Sequence, residues 1–168
     1  MVDRDAFEAA VAFVLRLEGG YSDSPIDPGG ETKFGISKRQ YPHLDIRALT
    51  EDEARGIYRR DYWLPYYCDR IEYAPLRAHY FSTVVNIGPG DAGRYLQRAV
   101  NATGGCLTVD GIVGPVTRDA VNTTAEPGLL LNAFLAQVVE HHIARGYDGL
   151  LKGLVRRAVA FPKELVGA

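Results

Sequence analysis

Residues 17–37, with the sequence LEGGYSDSPIDPGGETKFGIS, join an apolar helix to a turn rich in glycine and proline. Apolar residues recur at helical spacing before this stretch, which predicts an amphipathic helix over residues 5–18. The Gly19-Gly20 pair ends that helix, because glycine tolerates the left-handed conformation common just after a helix. Residues 22–31 are turn-forming types, and residues 32–37 are typical of a short strand. We therefore expect one small β-hairpin beside the helix.

The rest of the chain predicts further helices. Thr50 and Glu53 form a capping box that predicts the start of a helix. This helix carries Ala54, Ile57, Tyr58, Asp61 and Tyr62. Proline and capping residues start three more helices: Pro75 for one that runs to Asn86, Asp91 for the next, and Pro115 for a short one. Two final helices are expected over about residues 127–145 and 149–160. The predicted fold class is mainly α with the single hairpin.

Length and composition favour one domain. The chain has 168 residues, 46% of them hydrophobic, which is enough to bury a core. We expect a single domain over residues 1–168, with a catalytic core at 1–88 and an integrated helical region at 89–168. The net charge of −2 gives no basic field for nucleic acid, and no apolar run is long enough to span a bilayer. Cys68 and Cys106 are expected to be small core residues.

Glu18 is the first candidate for chemistry. It follows Val14 by four residues and Val11 by seven, so it shares their apolar face. Such a site favours the protonated form of a carboxyl group, as a general acid near neutral pH requires. The alternative is an ordinary solvated glutamate at a helix end.

A second acid and a hydroxyl follow in the turn. Asp27 lies between two prolines where water reaches it, and the hydroxyl of Thr32 could share a water molecule with its carboxylate. Asp23 competes for the same role. For both aspartates the alternative is simply turn formation.

The motifs of this chain resemble glycoside hydrolase family 108, the N-acetylmuramidases of phage endolysins and related secretion-linked muramidases. The resemblance is carried by Glu18-Gly19-Gly20-Tyr21 and by Asp27-Pro28-Gly29-Gly30-x-Thr32-x-x-Gly35-Ile36. It continues through Asp45-Ile46-Arg47-x-Leu49-Thr50, Tyr58-x-x-x-Tyr62-Trp63 and Val85-Asn86-x-Gly88-Pro89-Gly90. Glu18, Asp27 and Thr32 are also similar to the Glu–Asp–Thr triad of phage-type lysozymes, with an Asp-to-Thr interval one residue shorter.

The resemblance implies a lysozyme-like fold and a hydrolase that cuts the β-1,4 linkage between N-acetylmuramic acid and N-acetylglucosamine. Glu18 would be the general acid, and Asp27 with Thr32 would hold the attacking water. Aromatic faces stack on sugar rings, so Tyr62 and Trp63 are expected to line the cleft, with core positions as the alternative, whereas Tyr66 and Tyr67 are expected to be structural. Asn86 could hydrogen-bond an N-acetyl group, with a helix C-cap as the alternative, and Tyr21 is a further expected substrate contact. The chain departs from the family at Ser82, where an aspartate is frequent, and at Leu154, where a tryptophan is frequent.

Two other functions remain open from the sequence. A lytic transglycosylase would use the same site but form an anhydro-muramic product. A non-catalytic peptidoglycan-binding protein would use residues 110–117, because Leu96-Gln97 with Asp110-Gly111-x-x-Gly114-Pro115-x-Thr117 resembles the signature of peptidoglycan-binding helical repeats. The alternative for that signature is a turn followed by a helix start.

Partners and location complete the expectations. His141 and His142 are adjacent and point to different helix faces, so we expect no metal site, and no cofactor motif is present. The basic, partly apolar segment at residues 145–163 is either a packed helix or a weak contact for an anionic membrane surface. We expect a monomer that acts on peptidoglycan. Acidic and basic residues interrupt any N-terminal signal sequence, so we expect synthesis in the (host) cytoplasm and release through a holin pore.

Overall fold

The computed structural model describes residues 2–18, 20–23 and 30–145 of the chain. Asp27, the helix expected over residues 149–160 and all but the first residue of the basic segment lie outside these ranges. Within them, no helix combines the length and apolar character needed to cross a membrane.

The described chain is mainly helical, with six α-helices and one two-stranded antiparallel hairpin, as the sequence predicts. In chain order the elements are α1 (Val2–Glu18), β1 (Thr32–Lys33), β2 (Ile36–Ser37), α2 (Glu51–Tyr58), a π-helical segment (Arg59–Trp63), a 3₁₀ turn (Cys68–Arg70), α3 (Ala74–Asn86), α4 (Pro89–Ala102), α5 (Pro115–Asn122) and α6 (Pro127–Ala144).

Helix α3 is the centre of the core and packs against α1, α4 and α6. Aromatic rings fill its contact with α1 and the π-helical segment: Phe7 lies 5.4 Å from Trp63, and Trp63 lies 5.2 Å from Phe81, between ring centroids. All three side chains are buried. These edge-on contacts fix where α1 ends, and therefore where Glu18 lies on the protein.

The segment expected to be one strand is a complete hairpin. Thr32 pairs with Ser37, and Lys33 pairs with Ile36. Phe34 and Gly35 form the turn with φ values of 52° and 76°, the two positive values that a tight two-residue hairpin turn requires. The buried hydroxyl of Tyr58 donates to the Phe34 carbonyl at 2.8 Å and holds the turn against α2.

Helix α2 begins at the predicted capping box. The Thr50 hydroxyl accepts from the Glu53 N–H, and the Glu53 carboxylate accepts from the Thr50 N–H at 2.8 Å. The helix then changes pitch, because the Leu64 N–H donates to the Arg59 carbonyl five residues earlier. A π-helical segment of this kind inserts one residue relative to an α-helix. It places Tyr58 and Trp63, five residues apart, in the same core.

Helix α4 starts earlier than the sequence predicts. Its N-cap is Gly88, with φ of 110°, and Pro89 occupies the first turn. The expectation that Asp91 caps this helix is therefore wrong; its carboxylate accepts from Arg94 at 3.2 Å instead. Proline is favoured at the first helical position because its fixed φ suits a helix and its missing N–H would have no partner there, which explains the earlier start.

A buried glutamine ties the loop after α4 back to that helix. The Gln97 side-chain N–H₂ donates to Asp110 Oδ1 at 2.7 Å and to the Ile112 carbonyl at 3.1 Å, and its oxygen accepts from the Gly111 N–H at 2.8 Å. These bonds give the Gln97 to Thr117 signature a structural role, because they hold the loop at residues 110–112 against α4. Cys68 is buried as expected, but Cys106 is exposed, so the expectation of a core position for Cys106 is wrong.

Candidate active site

The end of α1 provides the first side of the candidate site. Glu18 is the last residue of α1, and Val11 and Val14, its neighbours on the predicted face, have no exposed surface. The backbone of Glu18 is described and its side chain is not. The apolar face that the sequence predicts for this helix is therefore buried at Val11 and Val14.

The chain turns back on itself four residues after Glu18. Ser22 and Thr32 form an antiparallel bridge in which each backbone N–H donates to the other residue's carbonyl at 2.8 Å. Because Thr32 also pairs with Ser37, it is the middle position of three adjacent segments. The bridge ties Thr32 to Ser22, which follows the last residue of α1 by four positions in the chain.

The hydroxyl of Thr32 has a defined orientation. It is partly buried and donates to the Gly30 carbonyl at 3.0 Å, where Gly30 has φ of 68°. Since a hydroxyl has one proton and two lone pairs, Thr32 Oγ1 retains acceptor capacity. This is the capacity that binding a water molecule through one of its hydrogens requires.

Tyr21 is held in place by two residues that the sequence analysis did not single out, Glu31 and Arg47. Its hydroxyl donates to Glu31 Oε1 at 2.9 Å, and the Arg47 guanidinium lies 5.5 Å from its ring centroid. The hydrogen bond to Glu31 is the main cause that raises the pKa of Tyr21. The ring is 39% exposed, so it is available to a ligand. Glu31 precedes Thr32 directly, and that adjacency was the available signal.

Tyr62 lies between the loop after the hairpin and the π-helical segment. Its partly buried ring carries a hydroxyl that accepts a hydrogen bond from the Gln40 side chain. Next to it, the Tyr41 hydroxyl donates to Asp61 at 2.9 Å, and Arg60 donates to the same carboxylate at 2.6 Å. The Arg60 contact is the main cause that lowers the pKa of Asp61. These contacts fix Tyr62 relative to the hairpin.

Trp63 does not line the cleft. Its side chain has no exposed surface and packs in the core between Phe7 and Phe81. The expectation of a substrate contact is therefore wrong, and its physical cause is the π-helical segment. Regular α-helical spacing from Tyr58 points to residues 61 and 62 as core positions, whereas the inserted residue turns Trp63 inward.

The pair expected to be structural, Tyr66 and Tyr67, is divided. Tyr66 is partly buried and packs on the core, whereas Tyr67 is 45% exposed with a backbone φ of 57°. The structural expectation holds for Tyr66. For Tyr67, whose ring is partly exposed, it stays a prediction.

Asn86 ends α3 and is exposed, but its amide is engaged. The side-chain N–H₂ donates to the Ser82 carbonyl at 2.9 Å, one turn earlier on the same helix. Beside it lies an apolar cavity of about 40 Å³ that reaches His79 and is too small for a sugar ring. Burial lowers the pKa of His79 to about 4.

The histidines of α6 make no metal site with their described neighbours. His141 Nδ1 lies 2.5 Å from the Tyr95 hydroxyl, and the part of the chain that the structure describes holds no group of three metal-type ligands.

Comparison with known proteins agrees with this geometry. Residues 11–88 match the family model described as Glycosyl hydrolase 108, from within α1 to the N-cap of α4. Residues 11–88, slightly less than half of the chain, are therefore similar to a glycosyl hydrolase family 108 domain. The matched residues include the second half of α1, the hairpin, α2 and α3, and they contain Glu18, Tyr21, Thr32, Tyr62 and Asn86. A glycosyl hydrolase family 108 domain implies a glycosidase that degrades peptidoglycan.

The similarity extends beyond this domain in three dimensions. The structure of Brucella abortus SagA matches with a TM-score of 0.71 and 26% sequence identity, over 95% of this chain and 97% of that chain. The match therefore includes the helices that follow the glycosyl hydrolase family 108 domain. No curated protein sequence matches the chain.

Proposed function

We propose that this protein is a β-1,4-N-acetylmuramidase that hydrolyses the linkage between N-acetylmuramic acid and N-acetylglucosamine. The observation that carries the proposal is the bridge between Ser22 and Thr32, because it ties Thr32 to a residue that follows Glu18 by only four positions in the chain. The bridge lies inside the matched glycosyl hydrolase family 108 domain.

Glu18 is proposed as the general acid that protonates the leaving glycosidic oxygen. The fully buried Val11 and Val14 on its face support this role, since an apolar neighbourhood favours a protonated carboxyl group. Protonation of the leaving oxygen is the step that a glycosidase of this kind requires from its first carboxyl group.

Asp27 and Thr32 are proposed to hold the attacking water. Because the Thr32 hydroxyl donates to Gly30, it would accept one hydrogen of that water, and the Asp27 carboxylate would accept the other. The lone pair of the water oxygen is then directed at the anomeric carbon. Water attacks as the C–O bond breaks, Glu18 donates its proton to the leaving oxygen, and Asp27 takes one from the water.

This arrangement makes the proposed reaction inverting. An inverting glycosidase needs about 6.5–9.5 Å between its two carboxyl groups to leave space for the water. Tyr21 and Tyr62 are proposed to contact the glycan, Tyr21 through its exposed ring and Tyr62 through its partly buried ring beside the hairpin. Asn86 would contact the substrate through its side-chain oxygen, since its N–H₂ group is bonded to Ser82.

The test is product analysis on purified peptidoglycan with the wild type and Glu18→Gln in parallel. The wild type should release muropeptides with reducing muramic ends, and Glu18→Gln should release none while keeping the circular dichroism and melting temperature of the wild type. Normal lysis by Glu18→Gln would contradict the acid assignment. Anhydro-muramic ends would instead identify a lytic transglycosylase. Binding to sacculi without any release, by the wild type, would identify a binding protein.

A further inference from the structure

Tyr67 has a backbone conformation that residues with a side chain rarely adopt. Its φ of 57° and ψ of 32° place it in the left-handed region, ahead of the 3₁₀ turn. That region costs a residue with a side chain about 1–2 kcal/mol, and it is occupied by glycine or asparagine where a turn alone is needed. Tyr67 instead presents a ring that is 45% exposed. Backbone strain of this kind is concentrated at functional sites.

The exposed ring has a cationic neighbour from another element. The guanidinium of Arg118, on α5, lies 4.2 Å from the centroid of the Tyr67 ring. This is within the range of a cation–π contact. Among the residues that the structure describes, no carboxylate is ion-paired with Arg118.

An aromatic groove of about 320 Å³ lies on one side of this contact. Its walls include Pro65, Tyr66, Tyr67, Tyr80 and the 69% exposed Ile112. Aromatic and aliphatic walls of this kind suit the flat apolar faces of sugar rings. The volume is also in the range of ligand sites, unlike the cavity of about 40 Å³ beside Asn86.

A polar groove of about 590 Å³ lies on the other side of Arg118. It contains both signs of charge, from Arg70, Glu72, Arg118 and Asp119. Asn122 fixes its wall, since its side chain donates to the Arg70 carbonyl at 2.8 Å and accepts from the Glu72 N–H at 3.1 Å. Arg70 is paired with Asp69 at 2.9 Å, and the other charged side chains of this groove are Glu72, Arg118 and Asp119.

We propose that the two grooves form one accessory peptidoglycan site, in which Tyr67 stacks on a glycan sugar and Arg118 with Asp119 binds the charged groups of the stem peptide. The proposal rests on peptidoglycan as the substrate of the proposed function. Peptidoglycan joins a sugar chain to peptides that carry carboxylates and amines, and the adjoining aromatic and charged grooves match that pairing. The site lies on the 3₁₀ turn and α5, apart from the hairpin that carries Thr32.

The experiment measures cosedimentation of the Glu18→Gln protein with purified sacculi, compared with the same protein carrying a second substitution. Tyr67→Gly should weaken binding about tenfold, equivalent to about 1.4 kcal/mol, because it removes the stacking ring. Its melting temperature should be unchanged or raised, since glycine adopts a positive φ without strain. Tyr67→Asn, which also tolerates this conformation, is the second variant if Tyr67→Gly does not fold.

A second ligand separates the two halves of the site. Glycan strands stripped of peptide by an amidase should bind the Arg118→Gln protein as well as its parent, whereas intact sacculi should bind it more weakly. Tyr67→Gly should weaken binding to both ligands. The exposed residues Leu129 and Arg98 supply matched controls, and Leu129→Ala and Arg98→Gln should bind like the parent.

Two results would overturn the accessory site. One is binding of Tyr67→Gly and Tyr67→Asn within twofold of the parent. The other is a loss of binding that always accompanies a fall in melting temperature, which would make Tyr67 structural. Loss of sacculus clearing in Glu18→Gln, compared with the wild type, tests the proposed function. Failure of that proposal is therefore recorded separately from failure of the accessory site.

Discussion

Ser22 and Thr32 are joined by two reciprocal backbone hydrogen bonds of 2.8 Å, and this bridge closes the turn that follows α1. The bridge makes the position of Thr32 independent of its own side chain. A substitution of the hydroxyl therefore tests chemistry with little risk to the fold.

Thr32→Val should lower kcat on peptidoglycan about a hundredfold, because the isosteric side chain cannot accept a hydrogen of the attacking water. Thr32→Ser should keep most of the activity. The control is Thr103→Val, which removes a hydroxyl that donates to the Ala99 and Val100 carbonyls at the end of α4. Initial rates of reducing-end release measure all three. Equal rates for Thr32→Val and the wild type would remove Thr32 from the mechanism.

Trp63→Ala should lower the free energy of unfolding by about 3–5 kcal/mol, because it empties a site packed between Phe7 and Phe81. Tyr62→Phe removes a hydroxyl at a partly buried position and should cost about 1 kcal/mol or less. Urea denaturation followed by circular dichroism compares the two. A Trp63→Ala protein that keeps its stability and shows only a raised KM would contradict the core position and support a substrate contact.

Gly93→Ala should destabilise the protein by about 1–3 kcal/mol or more, because its added Cβ would lie 2.2 Å from the Gly111 carbonyl oxygen. The matched control is Gly56→Ala on α2, where a Cβ meets nothing within 4 Å. That change should stabilise the protein by about 0.5–1 kcal/mol through helix propensity. Melting temperatures that shift in the same direction for both variants would contradict the backbone contact.

Stability should fall in mild acid because of His79. Burial lowers its pKa from 6.5 to about 4, so the unfolded chain binds a proton between these values that the folded chain does not. The contribution of neutral His79 to the free energy of unfolding is complete above pH 6.5. It declines as the pH falls toward 4 and levels off below that value. The full loss is on the order of 3 kcal/mol.

His79→Leu should flatten the decline between pH 6.5 and 4, whereas the exposed His43→Gln should leave it unchanged. Denaturation midpoints at half-unit pH steps supply the measurement. An identical slope in His79→Leu would assign the acid sensitivity to other groups.

The sequence predicts the elements with strong local signals. The capping box at Thr50 and Glu53 and the start of α6 at Pro127 are formed as expected, because capping and proline geometry act within one turn. The inner face of α4 is buried, and its residues Tyr95, Leu96, Ala99 and Val100 recur at helical spacing. Helical periodicity is sufficient in these cases.

The sequence does not predict the features that depend on contacts between distant residues. Phe34 accepts a positive φ because Tyr58, 24 residues later, bonds its carbonyl. Gln97 was predicted as part of a binding signature, and its bonds to residues 110–112 appear only once the loop folds back. In the candidate site, Thr32 is predicted from the local order of residues in the sequence. The contacts of Glu31 and Arg47 with Tyr21 are visible only in the folded structure.

The π-helical segment at Arg59–Trp63 also has a consequence for evolution. Such a segment is the mark left by a one-residue insertion into an ancestral α-helix. We expect homologues with a regular helix here to be one residue shorter between Tyr58 and Cys68. An alignment that omits this gap would pair Trp63 with the wrong ancestral position and so misplace the tryptophan on the protein surface.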